Sequence, residues 1–326
     1  MIEYRIDEDH AGIRLDKFLR KKLASVPPSH LFKMIRTKKV RVNGKRAQPE
    51  QELQAGDVLA IRGDEKHLLG PAPLKAEGGA AAGALDTSKL DISKLKVLFE
   101  DDWMMAVDKP SGMAVHTGSG ITGGTVVDYV RAYLGPKAVR NDFAASPAHR
   151  LDRETSGVLL VAKRRPAMVH FTAVFTEGHS KKRYVALVKG KMPRPQGTID
   201  LALSEHQQTA ESRSRRGINM QEAVTHYRVL AQNADTSLLE CRIETGRTHQ
   251  IRRHLVAVGH PVAGDKKYGD FGFNRELRTR WGLKRMFLHA QRIEFPHPEH
   301  GGKTVVESQL PPELKEVLKR AALEFP

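Results

Sequence analysis

Apolar residues recur at helical spacing near the start of the chain. Leu15, Phe18, Leu19 and Leu23 predict an amphipathic helix. Pro27-Pro28-Ser29 stops that helix and opens a second, striped by Leu31, Met34 and Ile35. The period then shortens to two. Val40-Arg41-Val42, followed by Asn43-Gly44 and Lys45, predicts a hairpin with a tight turn, and Val58 to Ile61 offers one more strand. Residues 1–63 thus predict a small helix-helix-hairpin module. From 64 to 94 the apolar period disappears. Pro71-Ala72-Pro73 and the run Gly78 to Ala84 predict a flexible Ala/Gly-rich tether, which would let two folded parts engage one partner together.

Residues 95–326 return to mixed patterns. Strands are predicted at Met104 to Val107, Val158 to Ala162 and Tyr184 to Val188. Ala223 to Leu230 and Ser237 to Ile243 predict neighbouring antiparallel strands. Helices are predicted over Thr125 to Leu134, from Pro166 (Met168, Phe171, Phe175) to Gly178, and over Pro312 to Leu323. A further helix, capped by Thr248, carries Ile251, Leu255 and Val258 and ends at Gly259. Strands follow strands without regular helical crossovers. The fold class expected is α+β, a largely antiparallel mixed sheet flanked by helices, plus the small N-terminal domain.

Composition narrows the function. The chain has 326 residues, 40% of them hydrophobic, enough to bury a core and exclude wholesale disorder. No apolar run reaches the ~18 residues of a membrane span. The N-terminus lacks a secretory pattern, so a cytoplasmic location is expected. The lone Cys241 excludes an internal disulfide and a cysteine zinc cluster. The net charge of +16 is concentrated: Ala11 to Gln48 holds twelve Lys/Arg against one acid, Asp16. A solvated helix face normally mixes both signs, so this module is expected to contact RNA or DNA phosphates through Lys17, Arg20, Lys21, Arg36, Lys38, Lys39 and Arg41.

Two motifs are set aside. Gly118-Ser119-Gly120-Ile121-Thr122-Gly123 matches G-x-G-x-x-G, yet the preceding strand ends too early and no acid follows at the required distance, so a mobile Gly-rich loop is expected. His297, Glu299 and His300 sit in a Pro-rich stretch and predict a surface loop. His249 and His254 lack helical zinc spacing and predict a packing or phosphate role; no metal is expected. The informative segment is His149-Arg150-Leu151-Asp152-Arg153-Glu154-Thr155-Ser156-Gly157, where a carboxylate is set among arginines at the lip of a buried strand.

Three further blocks accompany it: Asp108 to His116, Lys182 to Gly190, and Thr245 to Leu255. These four segments, in this order, closely resemble the RluA-type pseudouridine synthases, from about Val97 to the C-terminus. The N-terminal module resembles the alpha-L RNA-binding domain of ribosomal-protein type. With Gly259-His260-Pro261, Asp265 to Asp270 and Phe287 to Pro298, the chain looks most like the RluC-like branch, which modifies uridines in large-subunit (23S) rRNA.

The resemblance implies a domain plan of 1–63 for RNA binding, 64–94 as linker and 95–326 for catalysis. It implies that Asp152 is the catalytic aspartate and that Arg252 pairs with it. Arg150 fills the gap left by an extruded nucleotide, and Tyr184 lies against the flipped base, its hydroxyl near the C5 proton. Ile251 and Leu255 either wall the uracil pocket or pack their helix. No cofactor is implied. The partner is large-subunit rRNA or its precursor particle, with no membrane, and the chain is expected to be a monomer. Two departures stand out: Arg253 doubles the single arginine of the Gln250-Ile251-Arg252 block, and the tether is long. Alternatives are the same reaction on tRNA, or an inactive RNA-binding or ribosome-assembly factor. A C5 methyltransferase would need a reactive cysteine, and Cys241 lies in an apolar strand.

Overall fold

Asn43 and Gly44 both take positive φ, 50° and 73°, as a two-residue hairpin turn of the primed type requires. This turn joins β2 (Val40–Val42) to β3 (Lys45–Arg46) in the computed structural model of the chain, which describes residues 1–63, 68, 90–118, 120–140, 143–204 and 220–325. The residues divide into two compact units: Met1–Ala84 with Val139–Ala144 and Arg164–Pro166, and the rest. Most of the expected tether lies outside the described residues; at its end Ile92–Lys94 form a 3-10 turn that Asp91 caps.

In the first unit β1 (Ile2–Arg5) precedes α1 (Leu15–Lys22) and α2 (Pro28–Arg36); β4 (Val58–Ile61) completes a four-stranded sheet in the order β1-β4-β2-β3. β1 was not legible beforehand: MIEYRID has only two clear apolar alternations, and its pairing with β4 is long-range. Leu15, Phe18, Leu19, Leu23, Leu31, Met34 and Ile35 are all buried in one cluster. Each such side chain stabilises the unit by ~1.5–3 kcal/mol. The lone acid Asp16 is held by Arg14 through Nε and Nη2, both at 3.1 Å. Lys17, Arg20, Lys21, Arg36, Lys38 and Lys39 are exposed, while Arg41 is half-buried with Nη1 on the Gly44 carbonyl.

The second unit is built on a ten-stranded sheet. Its strands are β5 (Lys96–Glu100), β6 (Met104–Lys109), β7 (Ser156–Ala162), β8 (Lys181–Lys189), β9 (Gln196–Asp200), β10 (Val224–Gln232), β11 (Thr236–Ile243), β12 (Leu288–Pro296) and β13 (Lys303–Glu307), with the short Ser146–Pro147 strand on β7. The main path runs β9-β10-β11-β8-β12-β7-β6-β5, and β13 pairs with β12. Every named pairing in it is antiparallel except β7 with β12. The sheet is therefore mixed and largely antiparallel, as expected.

Flanking it are α3 (Val126–Leu134), α4 (Arg165–Thr176), α5 (Gln250–Ala257), α6 (Phe271–Trp281) and α7 (Pro312–Arg320). Thr125 and Asp128 form a reciprocal capping box on α3. That helix start is satisfied by its own side chains, which removes the nucleotide reading of the preceding glycines. Gly118 and Ile121 close a tight turn there; Ser119 lies outside the described residues. No helix among the described residues is long and apolar enough to cross a membrane.

Three expectations need correction. The N-cap of α5 is His249, not Thr248, and Val258 is exposed beyond the helix end. His297, Glu299 and His300 do lie on a turn with Glu299 and His300 exposed, but His297 itself is buried: its Nε2 is 2.7 Å from Asp101 Oδ2, and its ring stacks on His300 at 4.1 Å. A Pro-rich turn carrying polar residues reads as exposed, but a long-range carboxylate partner draws this imidazole inward. The packing role expected for His254 holds, with its ring nitrogens on Thr225 Oγ1 and the Leu201 carbonyl; His249 instead belongs to the site below.

Candidate active site

The Asp152 loop is braced from several directions. His149 Nε2 accepts from the Leu160 amide at 3.1 Å, and the Thr155 amide closes the turn on the Asp152 carbonyl at 3.1 Å. The Asp108–His116 block explains itself here. Lys109 is fully buried, and its Nζ donates to the carbonyls of Pro110, Met113 and Arg153 at 3.0, 2.8 and 3.1 Å. Ser111 Oγ adds a bond to the Glu154 carbonyl at 2.7 Å. One turn is thus pinned against the residues that follow Asp152. Burial pushes the Lys109 ammonium down to about 7, with Arg285 adding to the shift. The three carbonyls oppose that, because a neutral amine could donate to only two of them.

Gly157 ends the loop with φ +113°, where a Cβ would lie 2.2 Å from the Ala290 carbonyl oxygen. Only glycine lets β7 approach β12 so closely, and this parallel contact fixes where the chain leaves Asp152. Tyr184 comes from β8, at a register shift between Arg183 and Tyr184. Such a bulge re-aims a side chain. Tyr184 is buried and borders the same cleft as Asp152. Burial, and then the Asp152 charge, raise its hydroxyl pKa, so it stays protonated through neutral pH.

Arg252 arrives on the first turn of α5. Gln250 anchors that turn: its Nε2 donates to the Val224 carbonyl at 2.9 Å, and its Oε1 accepts from Thr245 Oγ1 at 2.7 Å and the Arg247 amide at 3.1 Å. Arg252 Nη1 then donates to Asp152 Oδ2 at 2.9 Å. The opposite edge of the guanidinium is taken by Asp265, with Nε at 2.7 Å and Nη2 at 2.9 Å. The Tyr268 ring lies 4.9 Å from the guanidinium carbon. Burial disfavours the Arg252 charge, but the bonds and charges of Asp265 and Asp152 outweigh it and raise the pKa.

His249 has left-handed backbone geometry, φ 54° and ψ 29°, sparse for a residue with a side chain. Its Nδ1 is 2.9 Å from the Tyr268 hydroxyl, and its Nε2 is 3.7 Å from Asp152 Oδ1. Burial lowers the His249 pKa against the pull of Asp152, with Arg252 and Lys267 reinforcing the shift.

The cleft is open to solvent, and its lining mixes charged groups with apolar wall. Asp152, Arg252, Tyr184, Arg150 and Ile251 all line it. Leu255 does not: it is fully buried in the main core cluster, one helical turn beyond the rim, so its role is packing. Leu151, Ile243 and Leu288 supply apolar wall that sequence reasoning missed, because each sits at the end of a strand or loop whose direction only the fold reveals. Arg253 is held by Ser204, at 3.1 Å to its carbonyl and 3.0 Å to Oγ. Cys241 is buried and its thiol pushed up to about 12, first by burial, so it is not a nucleophile. No cluster of three or more His, Cys, Asp or Glu suited to a metal occurs among the described residues.

Residues 103–257 match the family model described as RNA pseudouridylate synthase. The chain is also 37% identical, over 97% of its length and 95% of the relative's, to ribosomal large subunit pseudouridine synthase C of Vibrio cholerae. The chain belongs to the RNA pseudouridylate synthase family. The protein of the same description from Escherichia coli is 38% identical, again covering 97% of this chain and 95% of the relative. Residues 13–59 match the S4 domain. Among solved structures, human RNA pseudouridylate synthase domain containing 4 aligns with a TM-score of 0.58 at 25% identity, covering 71% of this chain and 94% of its own. The corresponding human domain containing 1 protein aligns at 0.53 and 25%, covering 73% and 98%.

Proposed function

We propose that this pseudouridylate synthase converts uridines to pseudouridine in large-subunit (23S) rRNA, with Asp152 as the catalytic carboxylate. The supporting observation is the Asp152–Arg252 pair at 2.9 Å, set in a cleft that Tyr184 also lines. The large-subunit substrate is supported by the near full-length relatives described as ribosomal large subunit pseudouridine synthase C.

In the reaction C1′–N1 breaks, the uracil turns, and C1′–C5 forms; C5 loses a proton and N1 gains one. Atoms balance, so no oxidant or external group is required. Asp152 either attacks C1′ or removes a ribose proton; both routes start from a carboxylate held under the sugar. Arg252 orients it through one oxygen. Arg150, exposed at the rim, takes the place of the extruded base, since a planar guanidinium both stacks and donates. Tyr184 offers its ring to the uracil, and its protonated hydroxyl acts on the C5 proton as a relay, passing its own proton to Asp152 or water as it takes the one from C5. Lys17, Arg20, Lys21, Arg36, Lys38, Lys39 and Arg41 bind phosphates on the 1–63 domain, 64–94 links, and 95–326 catalyses. One chain supplies Asp152, Arg252 and Tyr184, which supports a monomer; the same reading has it act in the cytoplasm.

The test uses rRNA fragments carrying tritium at uridine C5. Wild type releases tritium and Asp152→Asn releases none; equal release from both, or none from wild type, overturns the assignment. Pseudouridine mapping in total RNA with and without the gene separates rRNA from tRNA as substrate.

A further inference from the structure

The Arg252 guanidinium has one edge on Asp265 and a single remaining amine on Asp152. Charge neutrality does not demand this: Asp152 alone balances the cation. Asp265 is 1% exposed, so its carboxylate serves partners inside the protein, the Arg252 guanidinium first among them. Its oxygens accept from Nε at 2.7 Å and Nη2 at 2.9 Å. A two-point grip of this kind fixes the guanidinium plane as well as its position.

The mount is rigid. Asp265 Oδ1 also accepts from the amides of Lys267 and Tyr268 at 2.8 and 3.1 Å. Asn274 of α6 ties down the turn, accepting from the Gly264 amide at 2.7 Å and donating to the Asp265 carbonyl at 2.9 Å. Gly264 has φ +76°, and a Cβ there would sit 2.2 Å from the Arg285 carbonyl oxygen; a Cβ on Gly269 would sit 2.1 Å from that of Asp265. The turn therefore has no slack. On the other side, among the described residues Asp152 receives only Nη1 on Oδ2, while Oδ1 faces His249 Nε2 at 3.7 Å.

We propose that Asp265 is a positioning residue that restrains Arg252 to a one-point contact with Asp152 and so keeps Asp152 Oδ1 open to the ribose. Without it the guanidinium is free to swing a full edge onto Asp152. Both oxygens would then be occupied, the geometry least suited to attack or proton removal. Asp265 touches no substrate; it acts through Arg252. This rests on the reading of Asp152 as the catalytic carboxylate.

The experiment measures single-turnover pseudouridine formation and RNA affinity for wild type, Asp265→Asn, Arg252→Lys and the double variant, with a melting temperature for each. Asp265→Asn is expected to slow the rate by roughly 10- to 100-fold at unchanged affinity. In the Arg252→Lys background the same change is expected to slow it little further, because the group Asp265 orients is gone. Wild-type rate in Asp265→Asn, or the same loss factor in both backgrounds, overturns the proposal. If Asp265→Asn fails to fold, Asn274→Ala, which loosens the turn without altering charge, carries the same comparison. Loss of rate only in the Arg252 background supports the proposal; no loss, or equal loss in both, overturns it. Failure of the underlying reading looks different: wild type would form no pseudouridine, or Asp152→Asn would match it.

Discussion

Arg252 donates to Asp152 Oδ2 at 2.9 Å across one hundred residues of chain. The contact unites a loop before β7 with the first turn of α5, so it forms only once the central sheet is assembled. Arg252→Met leaves the buried Asp265 carboxylate without its cation. Breaking a buried pair from one side costs about 3–5 kcal/mol. Urea unfolding is expected to show that loss, and tritium release to fall to background. Arg252→Lys keeps a charge but cannot serve both carboxylates in the same plane, so it is expected to recover part of the stability and little of the rate.

Tyr184→Phe separates stacking from proton transfer. The ring stays, the β8 bulge stays, and stability is expected to change by less than about 1.5 kcal/mol. If the hydroxyl moves the C5 proton, tritium release falls by about 10²–10⁴-fold while RNA affinity is retained. The check is binding and release measured on one preparation.

Much of the site was legible because its parts lie in short, dense blocks. Asp152 with Arg150 stood out from the residues themselves, charges crowded at the start of a buried strand; Arg252, Tyr184 and Ile251 were reached through the resemblance of their blocks to a known family. Helices α1 and α2 were legible for the opposite reason: their apolar stripes have one simple period. Asp265 was not, since an acid after Gly264 in a turn reads as a solvated loop residue until the fold sets it against Arg252. Leu255 stayed open between cleft wall and packing, because a helix face gives the same spacing whether it meets a cleft or a core. β1 and β13 were hidden by length and edge position, where pairing partners, not local pattern, decide the strand.

The exposed cations of the N-terminal unit predict a salt effect. Arg36, Lys38 and Lys39 cluster at the end of α2 and the turn after it. Each phosphate neutralised contributes about −0.7 to −0.9 to the slope of log affinity against log salt. Replacing all three by Gln is expected to flatten that slope by roughly 2 to 3 without altering the single-turnover rate at saturating protein. Fluorescence anisotropy with a labelled rRNA fragment over a salt series measures it; an unchanged slope removes these residues from the RNA interface.

His149 predicts how stability responds to acid. Its Nε2 accepts from the Leu160 amide, so the imidazole must be neutral there, and burial lowers its pKa from 6.5 to about 3, with Lys182 adding to the shift. The unfolded chain binds a proton below about pH 6.5 and the folded chain does not until about pH 3. Stability from this group is therefore complete above pH 6.5 and lost as pH falls through that window, by a few kcal/mol, roughly 2–4. His149→Gln keeps a neutral acceptor but removes the proton linkage. It is expected to start less stable at pH 7 and to lose less between pH 6.5 and 4, so the two curves converge. Urea midpoints across that range read the slope directly. Since the same loop carries Asp152, wild-type activity is expected to decay over the same window at fixed temperature, and parallel curves for the two proteins would show that His149 does not couple acid to the loop.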